Sequence, residues 1–293
     1  MSRQTSTGNW IAAAVLVVAI AAGGVYLARK ATHVGETTSA VPTVSTATPS
    51  GGAPGEPAIQ HPIEQAQTAP ASASTAPLPA LDGSDESVAD ALAGLAGSSD
   101  LSALLVRQRV VERIVATLDA LPRHEALGSF TLPARTPKGA VVVDDAAGSM
   151  RLAAGNSGRY APYLRVVDAT DPTALVRWYV HAYPLFQQAY RQLGYPKGYF
   201  NDRLIVVIDD LLAAPQPEQA PLLLRSKSYY VYADPALESL STGQKLMIRV
   251  GPDGEARIKA KLRAIRAQLV GRDMGSAAPN GAGWQPAPSP RST

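Results

Sequence analysis

The chain has 293 residues and no cysteine, which excludes disulfide bonds, thiolate metal sites and cysteine nucleophiles. Its formal net charge of +3 comes from a small excess of lysine and arginine without a basic block, so it gives little support for a polyanionic partner. Proline is densest before residue 81, and the folded part is therefore smaller than the whole chain.

The first predicted element is a transmembrane helix at residues 10–28. These 19 residues carry no charge. At about 1.5 Å per residue the helix would be about 28 Å long, close to the hydrocarbon thickness of a bilayer. Trp10 and Tyr26 lie near its ends, where amphipathic rings prefer the interface. A cleaved signal peptide is the alternative, but the apolar run continues past the small residues at 19–22.

The regions that flank this helix are predicted to lack a fold. Residues 1–9 form a short tail. A short N-terminal tail before a long C-terminal region favours export of the C-terminal region, although the basic pair at 29–30 weakly opposes that orientation. Residues 31–81 contain no aromatic residue and predict a disordered linker, because so little apolar surface cannot offset the ordering entropy. Residues 273–293 are likewise predicted to be disordered, because they are rich in proline, glycine, alanine and serine.

Residues 82–272 carry the periodic pattern of a single globular domain, mostly α-helical with a small β-hairpin or short sheet. Asp171–Pro172 and Asp234–Pro235 each pair an N-cap with a proline at the first helical position. A doubly wound sheet is not expected, because strands and helices do not alternate. In chain order we predict helices at 85–96 and 101–121, a hairpin at 140–153, helices at 172–193 and 202–212, a strand at 221–234, and helices at 242–250 and 252–270.

Aromatic residues recur along the helix that begins at Pro172. Tyr179, Tyr183, Phe186 and Tyr190 follow the spacing of a single helix face. Core packing is the favoured interpretation, and a platform for a carbohydrate or a peptide is the alternative. Pro184 lies inside this helix and predicts a kink or a break.

The sequence carries only weak motifs for catalysis, cofactors or metals. We therefore predict no catalytic residue, no cofactor and no metal site. The domain holds two histidines without metal-ligand spacing and has no phosphate-binding loop or nucleophile elbow. Asp209 and Asp210 are adjacent and would point in different directions, while Asp234 and Glu238 share a helix face but Asp234 is expected to cap it. A hydrolase that attacks the cell wall through such carboxylates remains an alternative.

The last predicted helix is basic around its apolar stripe, with Arg257, Lys259, Lys261, Arg263 and Arg266. A solvated face is the favoured interpretation, and contact with acidic lipid is the alternative. Nucleic acid is not expected as a partner, because basic and aromatic residues are not interleaved as a stacking platform requires.

If the domain has a binding pocket, polar residues that interrupt the aromatic region are the candidates. Asn201 could instead cap a helix, and Asp202 in the first turn could pair with an arginine or favour the helix dipole. The candidate binding residues are Arg159, Tyr160, Asn201, Asp202, Arg203, Gln244 and Lys245.

Several long blocks of the sequence resemble the DUF3014 family. They include NSGRYAPYL at 156–164, YPLFQQAYRQLGYPKGYFNDRLIVVIDDLL at 183–212, and YADPALESLSTGQKLMIRVGP at 232–252. The resemblance runs over most of residues 85–271. It implies an uncharacterised protein of Gram-negative bacteria, anchored in the inner membrane with a periplasmic domain, and it implies no catalytic residues.

Three hypotheses of function follow. The first is a non-enzymatic envelope protein, bound to the bilayer through residues 10–28, whose domain binds a protein or glycan partner. The second is a peptidoglycan hydrolase or an activator of one. The third is a cytoplasm-facing domain that binds acidic lipid or another partner.

Overall fold

The computed structural model describes residues 58–66, 77–97, 99–124, 132–133, 135–146, 148–226 and 229–271. The predicted anchor at 10–28 and both predicted tails lie outside these ranges. Within them, none of the helices combines the length and the hydrophobicity that a bilayer crossing requires. The prediction that the domain is mostly helical is confirmed, with two small antiparallel hairpins in place of one.

The helices, in chain order, are α1 (Asp85–Leu95), α2 (Ser99–Leu104), α3 (Val110–Ala120), α4 (Ala161–Ala169), α5 (Pro172–Gln192), α6 (Phe200–Leu212), α7 (Pro235–Glu238), α8 (Thr242–Val250) and α9 (Pro252–Leu269). The strands are β1 (Val143–Ala146), β2 (Ser149–Leu152), β3 (Leu223–Ser226) and β4 (Tyr229–Tyr232).

Helix α5 lies at the centre of the main core and packs against α3, α6 and α9. Its predicted start is confirmed, because the Asp171 carboxylate accepts a hydrogen bond from the Ala174 amide and Pro172 is the first helical residue. The helix continues through Pro184, so the predicted break does not occur. Its buried aromatic face offsets the one backbone hydrogen bond that the proline removes.

The prediction of a single helix over 101–121 is wrong. Arg109 has a left-handed backbone (φ 52°) and separates α2 from α3. The Asp85 carboxylate, at the start of α1, accepts hydrogen bonds from the amides of Arg109 and Val110, each at 2.8 Å. A residue distant in sequence therefore supplies the cap that begins α3.

The prediction of one strand over 221–234 is also wrong, because this stretch folds into the hairpin of β3 and β4. The predicted hairpin near 140–153 is confirmed as β1 and β2. An isolated bridge between Arg151 and Leu222 joins the two hairpins, and they form a small second cluster with Ile248 of α8. A capping box formed by Ser241 and Gln244 begins α8.

Residues 58–66, here called the docked segment, lie within the predicted linker and pack on the domain. Ile63 and Ala66 are buried, and Ile63 begins a short 3-10 turn (Ile63–Gln65). A second such turn (Leu81–Gly83) precedes α1 and buries Leu81. Single aliphatic side chains thus order parts of a segment whose composition predicts disorder.

Candidate functional site

The start of α6 binds the docked segment through side chains that contact its backbone. The Asp202 carboxylate accepts hydrogen bonds from the Gln60 amide at 3.1 Å and from the His61 amide at 2.7 Å. The side-chain amide of Asn201 donates to the carbonyl oxygen of His61 at 2.8 Å. Two adjacent residues of one helix turn therefore bind both polar backbone groups of His61.

Tyr199 extends this contact by one more backbone group. Its hydroxyl accepts a hydrogen bond from the Ile63 amide at 2.7 Å. We call Tyr199, Asn201 and Asp202 the segment clamp. Asp202 lies in the first turn of α6, where a carboxylate is also favoured by the helix dipole.

The prediction that Asn201 caps this helix is wrong. The helix begins at Phe200 and its N-cap is Tyr199, so Asn201 lies inside the first turn. Asn201 is 0% exposed, and its oxygen accepts a hydrogen bond from the Tyr179 hydroxyl at 3.3 Å. Its amide nitrogen thereby points to the docked segment. The Asn201 side chain therefore makes tertiary hydrogen bonds instead of capping the local backbone.

Gln187 of α5 positions the clamp, and sequence reasoning did not find it. Its oxygen accepts hydrogen bonds from the Phe200 amide at 2.9 Å and from the Tyr183 hydroxyl at 2.7 Å, and its nitrogen donates to the Gly198 carbonyl at 2.7 Å. A buried glutamine thus fixes the backbone from which the clamp projects. The signal was available, since Gln187 lies on the otherwise aromatic face of α5.

The aromatic stripe of α5 is part of the core. Tyr179, Tyr183, Phe186 and Tyr190 are all buried. They contact one another and Phe200 through tilted, edge-on or stacked rings. Burial raises the pKa of Tyr179 and Tyr183 well above the ordinary value, so both hydroxyls keep their protons and act as donors.

Arg203, the next candidate along α6, turns away from the clamp to an ionic cluster at the end of α3. Its guanidinium contacts the Asp119 carboxylate, with Nε to Oδ1 at 2.9 Å. Arg123 pairs with the same carboxylate, and the Tyr195 hydroxyl lies 3.1 Å from it. Asp119 is buried, and two cations and a hydroxyl compensate the charge of its carboxylate. This cluster fastens the turn between α5 and α6 to α3.

Arg159 and Tyr160 lie elsewhere, beside the loop that precedes β1. The Arg159 guanidinium donates to the carbonyl oxygens of Lys138 and Gly139, at 3.2 and 2.8 Å. It also lies over the Tyr160 ring, 5.9 Å from the centroid. Tyr160 is 1% exposed, and burial raises the pKa of its hydroxyl, which hydrogen bonds to no atom of the described residues. Arg159 therefore shapes a loop.

Gln244 and Lys245 lie on α8, where they are engaged within the domain. Gln244 donates to the Asp210 carbonyl oxygen at 3.0 Å, and Lys245 pairs with Glu238 at 2.7 Å. The Ser241 hydroxyl donates to the Asp210 carboxylate at 2.7 Å. Burial raises the pKa of Asp210, and the Ser241 hydrogen bond partly opposes that shift.

The candidate residues thus occupy separate places and do not form one pocket. Asn201 and Asp202 bind the docked segment, whereas Arg159 and Tyr160, Arg203, and Gln244 and Lys245 lie at three other places in the domain. Within the described part of the chain, no group of three or more acidic or histidine side chains is placed to hold a metal ion. A cavity of about 40 Å³ beside Trp178 is lined by aliphatic and aromatic side chains, and the Tyr179 hydroxyl among them is already engaged with Asn201.

The fold and the clamp define a mostly helical domain whose side chains bind the backbone of a short segment of its own chain. The chain belongs to the DUF3014 family, described as proteins of unknown function, whose model matches residues 110–266 and therefore more than half of the chain. The clamp lies inside the matched range and the docked segment lies outside it. No curated protein and no solved structure matched the chain.

Proposed function

We propose that this protein is a non-enzymatic binding protein of the cell envelope. In this proposal residues 10–28 anchor it in the inner membrane, and the helical domain lies in the periplasm and binds a partner. The segment clamp carries the proposal, because its contacts are those of peptide binding: side chains that bind backbone groups of a short segment, beside a buried aliphatic anchor.

A protein partner is favoured over a glycan. Glycan binding by aromatic stacking requires exposed ring faces, and the stripe of α5 is buried in the core. The clamp, in contrast, binds amide N–H and carbonyl groups in the register of a polypeptide.

The hydrolase alternative receives less support from the arrangement of carboxylates. Asp209 forms a two-pronged ion pair with Arg266, and Glu238 pairs with Lys245 while accepting a hydrogen bond from the Tyr232 amide. These carboxylates are engaged in holding the domain together. The lipid-binding alternative also receives less support, because most basic side chains of α9 pair or hydrogen bond within the domain.

Two experiments test this proposal. Alkaline phosphatase and green fluorescent protein, each fused after residue 275, report the side of the membrane. We expect phosphatase activity without fluorescence, and the reverse would contradict the periplasmic location. Purified protein incubated with murein should release no soluble fragments; release that disappears in Asp209→Asn or Glu238→Gln would show an enzyme.

A photo-crosslinking residue tests for the partner in cells. Lys197 is exposed and lies two residues before the clamp, and Leu224 is exposed on β3 and serves as the matched control. We expect a discrete protein adduct from position 197 that is absent from position 224. Adducts of equal yield at both positions would contradict a localised binding surface.

A further inference from the structure

The clamp recognises the backbone of the docked segment. The four described hydrogen bonds between the clamp and the segment all involve backbone groups of the segment: the amides of Gln60, His61 and Ile63 and the carbonyl of His61. Such contacts are independent of the side chains at positions 60 and 61. Another polypeptide in the same conformation would satisfy them equally.

Selectivity comes from the two residues that follow. Pro62 has an extended backbone (φ −57°, ψ 135°), which its ring favours, and it lies between His61, which the clamp binds, and the buried Ile63. Ile63 then enters the main core and is 8% exposed. The site therefore selects a segment in which a proline is followed by an aliphatic residue.

The docked segment is also held less extensively than the helices behind it. Ile59, Gln60, Glu64 and Gln65 are exposed, so the apolar contact rests on Ile63 and Ala66. Segments with few buried apolar contacts open locally, without unfolding of the domain. The site can thus become vacant while the clamp stays in place on α6.

We propose that Tyr199, Asn201 and Asp202 form an exchangeable peptide-binding site whose resident ligand is the chain's own docked segment. Its other ligand is a segment of a partner protein that carries a proline–aliphatic pair and adopts the backbone conformation of residues 60–63. This inference rests on the proposed binding function and names its site and ligand class. The resident segment makes the site self-masked, since a tethered ligand has an effective concentration of the order of millimolar.

Self-masking has a measurable consequence. A competing peptide binds only the fraction of molecules in which the site is open, so its apparent affinity falls by that fraction. Removing the anchor of the resident segment should therefore strengthen binding of the same sequence supplied in trans. Removing the clamp should abolish it.

The test uses the full chain in detergent micelles and a fluorescein-labelled synthetic peptide of residues 58–66, with binding followed by anisotropy. Pro62→Gly combined with Ile63→Ser vacates the site. We expect this variant to bind the peptide at least about tenfold more tightly than the unaltered chain. Adding Asp202→Ala should weaken that binding at least about tenfold, because its two backbone hydrogen bonds are lost.

The matched control is Asp209→Ala in the vacated protein. It removes a carboxylate from the same helix, but one that pairs with Arg266 and does not contact the segment. Peptide binding should be unchanged. Failure of a folded, vacated protein to bind the peptide, or equal binding with and without Asp202→Ala, would overturn the proposal.

A second measurement needs no substitution and applies even where the vacated variant does not fold. Hydrogen exchange of residues 58–66 in the unaltered chain should accelerate as the unlabelled peptide is raised from about 0.01 to 10 mM, the range set by the effective concentration. A scrambled peptide should have no effect. Constant exchange over this range would show a permanent structural contact, while an adduct at position 197 would still support the binding function.

Discussion

Asp119→Asn tests whether burial gives the ionic cluster at the end of α3 its strength. The Asp119 side chain is 7% exposed, and it pairs with Arg203, which is 22% exposed, and with Arg123. Asparagine keeps the shape but removes the charge, so Arg203 remains near the core without its counterion. Breaking a buried pair in this way costs about 3–5 kcal/mol.

The expected value lies at the lower end of that range. Arg123 is 44% exposed and can turn to water, and the backbone carbonyl of Asp119 still accepts a hydrogen bond from Arg203. About 3 kcal/mol corresponds to a fall in melting temperature of about 6–12 °C for a domain of this size. Thermal unfolding followed by circular dichroism of the full chain measures it.

Asp209→Asn is the matched control. Its carboxylate also pairs with an arginine, Arg266, but it is 47% exposed, and exposed pairs contribute about 0–1 kcal/mol. We expect a change of at most about 4 °C. Equal shifts in Asp119→Asn and Asp209→Asn would refute the argument that burial decides the strength of these pairs.

Three further predictions follow from the structure. Asp202→Ala should accelerate hydrogen exchange of residues 58–66 at least about tenfold, because two charge-assisted hydrogen bonds are lost. Tyr160→Phe should leave the free energy of unfolding unchanged or raise it, whereas Tyr163→Phe, which removes a 2.7 Å hydrogen bond to a backbone carbonyl, should cost about 1 kcal/mol in urea unfolding. Asp210→Asn should gain stability relative to the unaltered chain as the pH rises from about 4 to about 7. Burial raises the pKa of Asp210 in the folded state, so this carboxyl stabilises the fold most below its unfolded-state pKa. That stabilisation is lost as the pH rises through the folded-state pKa, and asparagine does not titrate.

Each of these predictions has an outcome that contradicts it. Unchanged exchange in Asp202→Ala would show that the docked segment is held without the clamp. A loss in Tyr160→Phe as large as that in Tyr163→Phe would mean that the buried hydroxyl of Tyr160 is satisfied. A pH-independent difference for Asp210→Asn would show that burial does not govern its ionisation.

The elements that the sequence predicted well are set by neighbours within one helical turn. Asp171 caps α5 through the amide three residues later, and Ser241 and Gln244 cap α8 reciprocally. The aromatic face of α5 also follows from spacing alone. In each case the pattern and the contact lie on the same short piece of chain.

Predictions failed where the partner is distant. The start of α3 depends on Asp85, which lies 25 residues before Val110, and no pattern within 101–121 reveals that cap. The hairpin in 221–234 was missed for a local reason, because the prediction of one strand passed over the polar pair Lys227 and Ser228 that separates β3 from β4 in the sequence. Periodicity predicts which face of a helix or strand is buried, and it does not predict which residues pack against that face.

The sequence by itself determined that this is a mostly helical domain of the DUF3014 family, and it singled out Asn201 and Asp202 as polar residues of interest. Only the tertiary structure decided what these residues do, because the backbone groups they bind lie about 140 positions earlier in the chain. Local helix capping and distant peptide binding use the same side-chain atoms. The choice between them is made by packing, which brings the docked segment to the start of α6.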